Sequence, residues 1–146
     1  MRFLSLVLVT ALALVAGTSV LNAKDGIPDT MEEAYRFLDA KLPPDQRERF
    51  KQMTESEVVA STHFGLGMTI RNYWFRSGKS ALPEFLYSLG ARDLDDLSSM
   101  VLTSYWRYLN NKPIELEKQG AFYKRWWEEQ KRLIEDDPQK GPGTRF

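Results

Sequence analysis

Between Met31 and Ile134, apolar residues recur every three or four positions, in runs separated by prolines, glycines and helix-start residues. No run alternates with period two, and β-branched residues are sparse after residue 23. Period 3.6 with start and stop signals reads as helix, so the fold is predicted to be all-α. Thr30 and Glu33 have capping-box spacing and open a helix with Ala34, Tyr35, Leu38 and Leu42 as its stripe. Pro43-Pro44 ends it and starts a short helix contacting through Phe50 and Met53. Thr54 and Glu57 repeat the box spacing, and a helix follows to about Phe75. After the Arg76–Ser80 turn, Ala81–Leu89 forms a helix with Pro83 in its first turn and Gly90 at its end. Asp93 caps a helix over Leu94–Leu109 with two stripes, Leu94/Leu97/Val101/Tyr105/Tyr108 and Leu102/Trp106/Leu109. Asn110-Asn111 suits a left-handed ending, and a last helix runs from Pro113 to about Glu135, with Gly120 as a weak point or kink.

The segment His63–Phe75 is apolar on two sides when projected at 100° per residue. His63, Leu66, Ile70, Tyr73 and Trp74 lie on one side; Phe64, Met68 and Phe75 lie nearly opposite. A helix apolar all round belongs inside. The expectation is therefore a compact bundle of about five or six helices with the 55–75 helix at its centre. Gly65 and Gly67 need a reason there: close approach of another helix, or of a ligand.

Residues 1–23 follow a different pattern. Arg2 is their only charge, Phe3–Ala16 is almost wholly apolar, and small residues lead to Ala23. A positive start, an apolar stretch and a small residue at the cut predict a signal peptide cleaved after Ala23. The apolar run, roughly 14 residues, is shorter than the ~20 that span a bilayer as a helix. The expected organisation is a signal peptide at 1–23 and a helical domain at 24–114. An amphipathic helix at 115–136 packs on that domain, and a disordered tail follows at 137–146. The expected location is outside the cytoplasm, periplasmic or secreted, with no stable membrane insertion once the leader is gone.

Composition removes several chemistries. Lys+Arg number 20 and Asp+Glu 20, and the cut would remove only Arg2, leaving −1. This balance argues against nucleic acid as a partner. With no cysteine and one histidine there is no disulfide framework, lipobox or thiol nucleophile, and a zinc site is not expected. Ser77-Gly78-Lys79-Ser80 lacks the upstream glycine and strand of a phosphate loop. Asp93, Asp95 and Asp96 lack the glycine and glutamate of a calcium loop and read as helix-start acids. No cofactor or metal is expected.

The block His63-Phe64-Gly65-Leu66-Gly67-Met68-Thr69-Ile70-Arg71-Asn72-Tyr73-Trp74 resembles the H-F-G-L-G-M-x-I-R-N-x-W signature of a bacterial domain-of-unknown-function family. Asp95–Met100, Ser104–Asn110, Lys112–Ile114 and the Ile27–Thr30 opening resemble it too, so the likeness covers roughly 27–114. Where that family often has an Asn- or Gly-rich run beside the tryptophan, Tyr73 and Phe75 flank Trp74 here. The resemblance implies a domain extent and no activity, cofactor or catalytic residue.

The candidate site residues are His63, Arg71, Asn72, Tyr105 and Arg107. His63 is either a general base or a core histidine bonded to a neighbour. It lies about 80° round the helix from Arg71, too far for an easy pair. Arg71, Asn72 and Arg107 either converge on an anionic ligand or pair with carboxylates of the same fold. Lys124-Arg125-Trp126-Trp127 reads as an aromatic stripe docking the last helix, with headgroup contact as the rival. Three functions follow: a small binding or interaction domain, taking an unknown protein or small ligand; a hydrolase or ligand-processing enzyme centred on His63; and an inhibitor- or immunity-type protein.

Overall fold

A computed structural model describes residues 26–137, 139 and 141, and the expected leader and most of the expected tail lie outside them. Among the described residues the fold is all-α. Its helices are α1 (Met31–Lys41), α2 (Pro44–Gln52), α3, α4 (Leu82–Leu89), α5 (Leu94–Leu109) and α6 (Leu116–Asp136). α3 is a rod of four stretches: α-helical Glu55–Thr62, a π turn at His63–Gly67, α-helical Met68–Ile70, and a second π turn at Arg71–Phe75.

Local capping sets most boundaries. Thr30 Oγ1 accepts from Glu33 N at 3.2 Å, and the Glu33 carboxylate takes the Asp29 N–H at 2.8 Å. Thr54 N and Oγ1 donate to Glu57 Oε2 at 2.7 and 2.8 Å, which holds that carboxyl below its ordinary range. Asp93 Oδ1 accepts from Asp96 N at 2.8 Å and starts α5 as expected. α6 starts three residues later than the proline suggested. Asn111 and Glu115 are left-handed, and the Ile114 carbonyl is taken by the Arg107 and Gln119 side chains.

The centre belongs to α5 rather than to the 55–75 segment. α5 buries ten residues, from Asp96 to Trp106, and every other helix packs on it. Both of its apolar stripes are therefore covered along most of their length, with Tyr108 emerging at the C-terminal end. α3 runs alongside, burying Val58, Ile70, Trp74 and Phe75 while Phe64 and Met68 face outward. The projection at 100° failed because a π turn closes on the fifth residue and advances less per residue. That shift carries Phe75 inward and Tyr73 out to 70% exposure.

Tyr35, Tyr105 and Phe50 fill the space between α1, α2 and α5. Tyr35 stacks on Tyr108 at 5.0 Å, and Phe50 meets Tyr105 at 5.5 Å. Trp106 Nε1 donates to the Met53 carbonyl at 2.9 Å and pins the α2–α3 link.

α6 is seated by glycine. A Cβ on Gly120 would lie 2.2 Å from the Leu89 carbonyl oxygen, and one on Gly90 would lie 2.4 Å from the Gly120 oxygen. Gly90 also has φ +130°, a conformation that disfavours side chains. Gly120 is thus a contact point between backbones and not merely a weak position. Beside it, Trp127 Nε1 donates to the buried Asp96 Oδ2 at 2.8 Å, and the same oxygen accepts from Arg92 N at 2.8 Å.

Two outcomes follow. Gly120→Ala gains helix propensity of about 1 kcal/mol, but backbone overlap costs about 1–3 kcal/mol and cannot relax by rotating a side chain. Urea unfolding is expected to show net destabilisation, and a stabilised variant would refute the packing account. Burial, partly offset by a hydrogen bond with Ser104, pushes the Tyr35 phenol from 10.0 up to about 12. Burial, then the Asp39 carboxylate, also raises Tyr105. The folded state keeps these protons where the unfolded chain loses them. Stability is therefore expected to hold below pH about 10 and fall as pH rises toward about 12. Tyr35→Phe flattens that decline, measured by denaturation at successive alkaline pH values.

Candidate functional site

Three helices contribute one side each to a groove of about 640 Å³. The start of α3 gives Glu55, Ser56 and Val59; the end of α5 gives Thr103 and Arg107. α6 gives Lys118, Gln119, Phe122 and Tyr123, with Glu115 at its N-cap. Positions 103 and 107 are one helical turn apart, and 115, 118, 119, 122 and 123 share one face by their spacing. The Glu57–Thr54 cap fixes where α3 begins, and so places Glu55 beside α5.

Arg107 organises the groove. Its Nε donates to Glu55 Oε1 at 3.0 Å, and Nη2 bonds the same oxygen. Its Nη1 donates to the Ile114 carbonyl at 2.9 Å and to Glu115 Oε2 at 3.3 Å. A hydrogen bond from Lys118, then the Arg107 charge, hold the Glu115 carboxyl below its ordinary range. Gln119 Nε2 donates to Ser104 Oγ at 3.0 Å and to the Ile114 carbonyl at 2.8 Å, fastening the α6 wall to α5. The two carboxylates and two cations offset one another. What remains open is the apolar lining from Val59, Phe122 and Tyr123.

The other sequence candidates lie elsewhere. Arg71 points into the bundle: Nε pairs with Asp95 at 3.1 Å, Nη1 donates to Ser98 Oγ at 3.0 Å, and Nη2 to the His63 carbonyl at 2.9 Å. The difficult His63–Arg71 pairing is solved at the backbone, where the guanidinium reaches back along α3. His63 is half-buried, its ring edge-on to Phe64 at 4.7 Å. Asn72 is exposed on the outer side of α3. Tyr105 faces α1, its hydroxyl donating to Asp39 Oδ1 at 2.8 Å. Ser98 and Arg107, which mark the two arginine sites, are nine residues apart on α5, roughly 14 Å. The five residues do not converge.

Among the described residues no cluster of three or more His, Asp or Glu could hold a metal ion. None of the described helices is long and apolar enough to cross a membrane.

Residues 27–109 match the family described as a domain of unknown function, DUF6794, and the chain belongs to that family. No curated protein and no solved structure matches the chain. The match takes in α1 to α5 and ends at Leu109, so the groove joins two walls from the matched region to one from beyond it.

The two signature glycines separate by function. A Cβ on Gly67 would lie 3.2 Å from both Arg71 Nη1 and the Thr62 carbonyl, whereas one on Gly65 would meet nothing within 4 Å. Gly67 therefore makes room for the Arg71 guanidinium. Gly65→Ala is expected to raise stability by about 0.5–1 kcal/mol through helix propensity. Gly67→Ala should lower it by about 1–2 kcal/mol as the arginine network is displaced. Thermal unfolding of both variants distinguishes them; equal shifts would contradict this assignment.

Proposed function

We propose that this member of the DUF6794 family is an exported, non-enzymatic binding domain whose ligand occupies the α3–α5–α6 groove. The observation that carries the reading is the groove itself. Its volume of about 640 Å³ falls within the ~300–1,000 Å³ typical of ligand sites. Its charges are already paired, so it favours an uncharged aliphatic or aromatic group, from a small molecule or from a partner's side chains. A charged ligand would have to break the Glu55–Arg107–Glu115 set. A hydrolase centred on His63 fits less well. Catalysis needs base, nucleophile and anion-stabilising donors around one point, and Arg71 and Arg107 are each engaged with carboxylates at separate places. Export rests on the leader pattern of residues 1–23, and the periplasm is the location that pattern favours in a bacterial cell.

Native mass spectrometry on chain purified without denaturant from the producing cell tests both parts. The expected chain starts at Lys24, comes from the periplasmic fraction and carries a stoichiometric small molecule or protein. Phe122→Glu, at an exposed groove position, is expected to lose that cargo with little change in melting temperature. A chain that carries nothing, or a Phe122→Glu variant that keeps the cargo, overturns the groove assignment. A cytoplasmic chain retaining residues 1–23 overturns export.

A further inference from the structure

Three side-chain oxygens at the groove receive no hydrogen bond from the described residues. Glu55 gives its Oε1 to both Nε and Nη2 of Arg107, and its Oε2 is left over. Gln119 spends its amide hydrogens through Nε2, on Ser104 Oγ and on the Ile114 carbonyl. A carbonyl can only accept, so the amide cannot be turned over, and Oε1 is the end without a partner. Thr103 Oγ1 is the third. Among the described residues no buried side-chain oxygen lacks a partner, so solvent reaches all three. Gln119 is only 8% exposed, and it lines the groove.

The open groups are thus acceptors, with the Thr103 hydroxyl able to act either way. The groove's own donors are engaged. Arg107 uses Nε, Nη1 and Nη2 on two carboxylates and the Ile114 carbonyl, and Lys118 is bonded to Glu115. Covering acceptors with a ligand that has no donors leaves them unpaired and costs free energy, so the groove selects a ligand with several O–H or N–H groups. A phenol or an indole brings one. A peptide strand brings a carbonyl with every N–H, and its carbonyls would face more acceptors. A sugar ring carries hydroxyls round its edge, each able to donate and to accept. Its faces are C–H, which suits Val59 and the Phe122 and Tyr123 rings. Those two rings stand at 80° with centroids 5.2 Å apart and form a corner for a ring to lie against. A neutral sugar also leaves the Glu55–Arg107–Glu115 set intact.

We infer that the groove, taken as the binding site, holds a neutral saccharide. Its hydroxyls donate to Glu55 Oε2, Gln119 Oε1 and Thr103 Oγ1, and a ring face lies on Phe122 and Tyr123. Gln119 then has two roles on one amide: the nitrogen fastens α6 to α5, and the oxygen reads the ligand.

Ligand-observed NMR on the purified chain with cellobiose, maltose and diacetylchitobiose tests this. At least one is expected to bind at millimolar concentration. Its per-O-methylated form keeps the rings but has no hydroxyl, and should bind at least about ten-fold more weakly. Glu55→Gln keeps an oxygen for Arg107 and turns the open acceptor into a donor. Thr103→Val removes the hydroxyl at nearly constant volume. Each should weaken binding about ten-fold, with circular dichroism checking that the fold is kept. Failure of all three sugars, equal binding of the methylated form, or affinity unchanged in both variants overturns the inference. A groove cargo that mass spectrometry shows to lack hydroxylated rings overturns the saccharide and leaves the groove reading standing. A chain that carries no cargo and binds no disaccharide overturns both.

Discussion

Two backbones touch where α4 ends and α6 crosses it, at Leu89–Gly90 and Gly120, and the placement of the last helix depends on that contact. With no Cβ on either glycine, α6 lies nearer α4 than side chains would permit. From there its spacing carries Gln119 to Ser104 and Trp127 to Asp96, two polar pins on one rigid element. Asp96 is buried with its Oδ2 shared by an indole and a backbone N–H, so withdrawing α6 would leave a carboxylate short of a donor in the core. The groove is a by-product of this seating. It is the space left between α6 and the α3–α5 pair once the glycines have set the distance.

α5 explains how a small chain with no cysteine keeps one core. It is covered by the other five helices from Asp96 to Trp106, and its polar positions are used rather than tolerated. Ser98 takes Arg71, Ser104 takes Gln119, and Asp96 takes Trp127. Each neighbouring helix thus brings an apolar face and, on α1, α3 and α6, a specific hydrogen bond. That combination fixes rotation as well as contact.

Helix starts were legible in the sequence because capping is local. Thr30, Thr54 and Asp93 each act within three residues of their partners. Helix rotation in α3 was not legible. The π turns change the advance per residue, and nothing in His63–Gly67 or Arg71–Phe75 announces them at 100° per residue. Hence the segment read as apolar on two sides, and central, when one of those sides faces outward. The arginines divide the same way. Their internal use was one of the two readings open in the sequence, but their acceptors lie across the fold, Asp95 for Arg71 and Glu55 for Arg107. Separations of that length are invisible to spacing rules. The groove was missed for a related reason: 103/107 and 115/118/119/122/123 are readable as faces, yet which faces oppose is decided by Gly90 and Gly120.

The groove's third wall also has a consequence in time. Synthesis delivers the chain from its N-terminus, and the α1–α5 region precedes α6. At that stage Arg107 can hold Glu55, but Glu115 and the Ile114 carbonyl have yet to arrive, and Phe122 and Tyr123 do not exist as a wall. Whatever the groove holds is therefore met by the finished molecule alone. A nascent chain carries the outer face of α3 well before it has anywhere to keep a ligand.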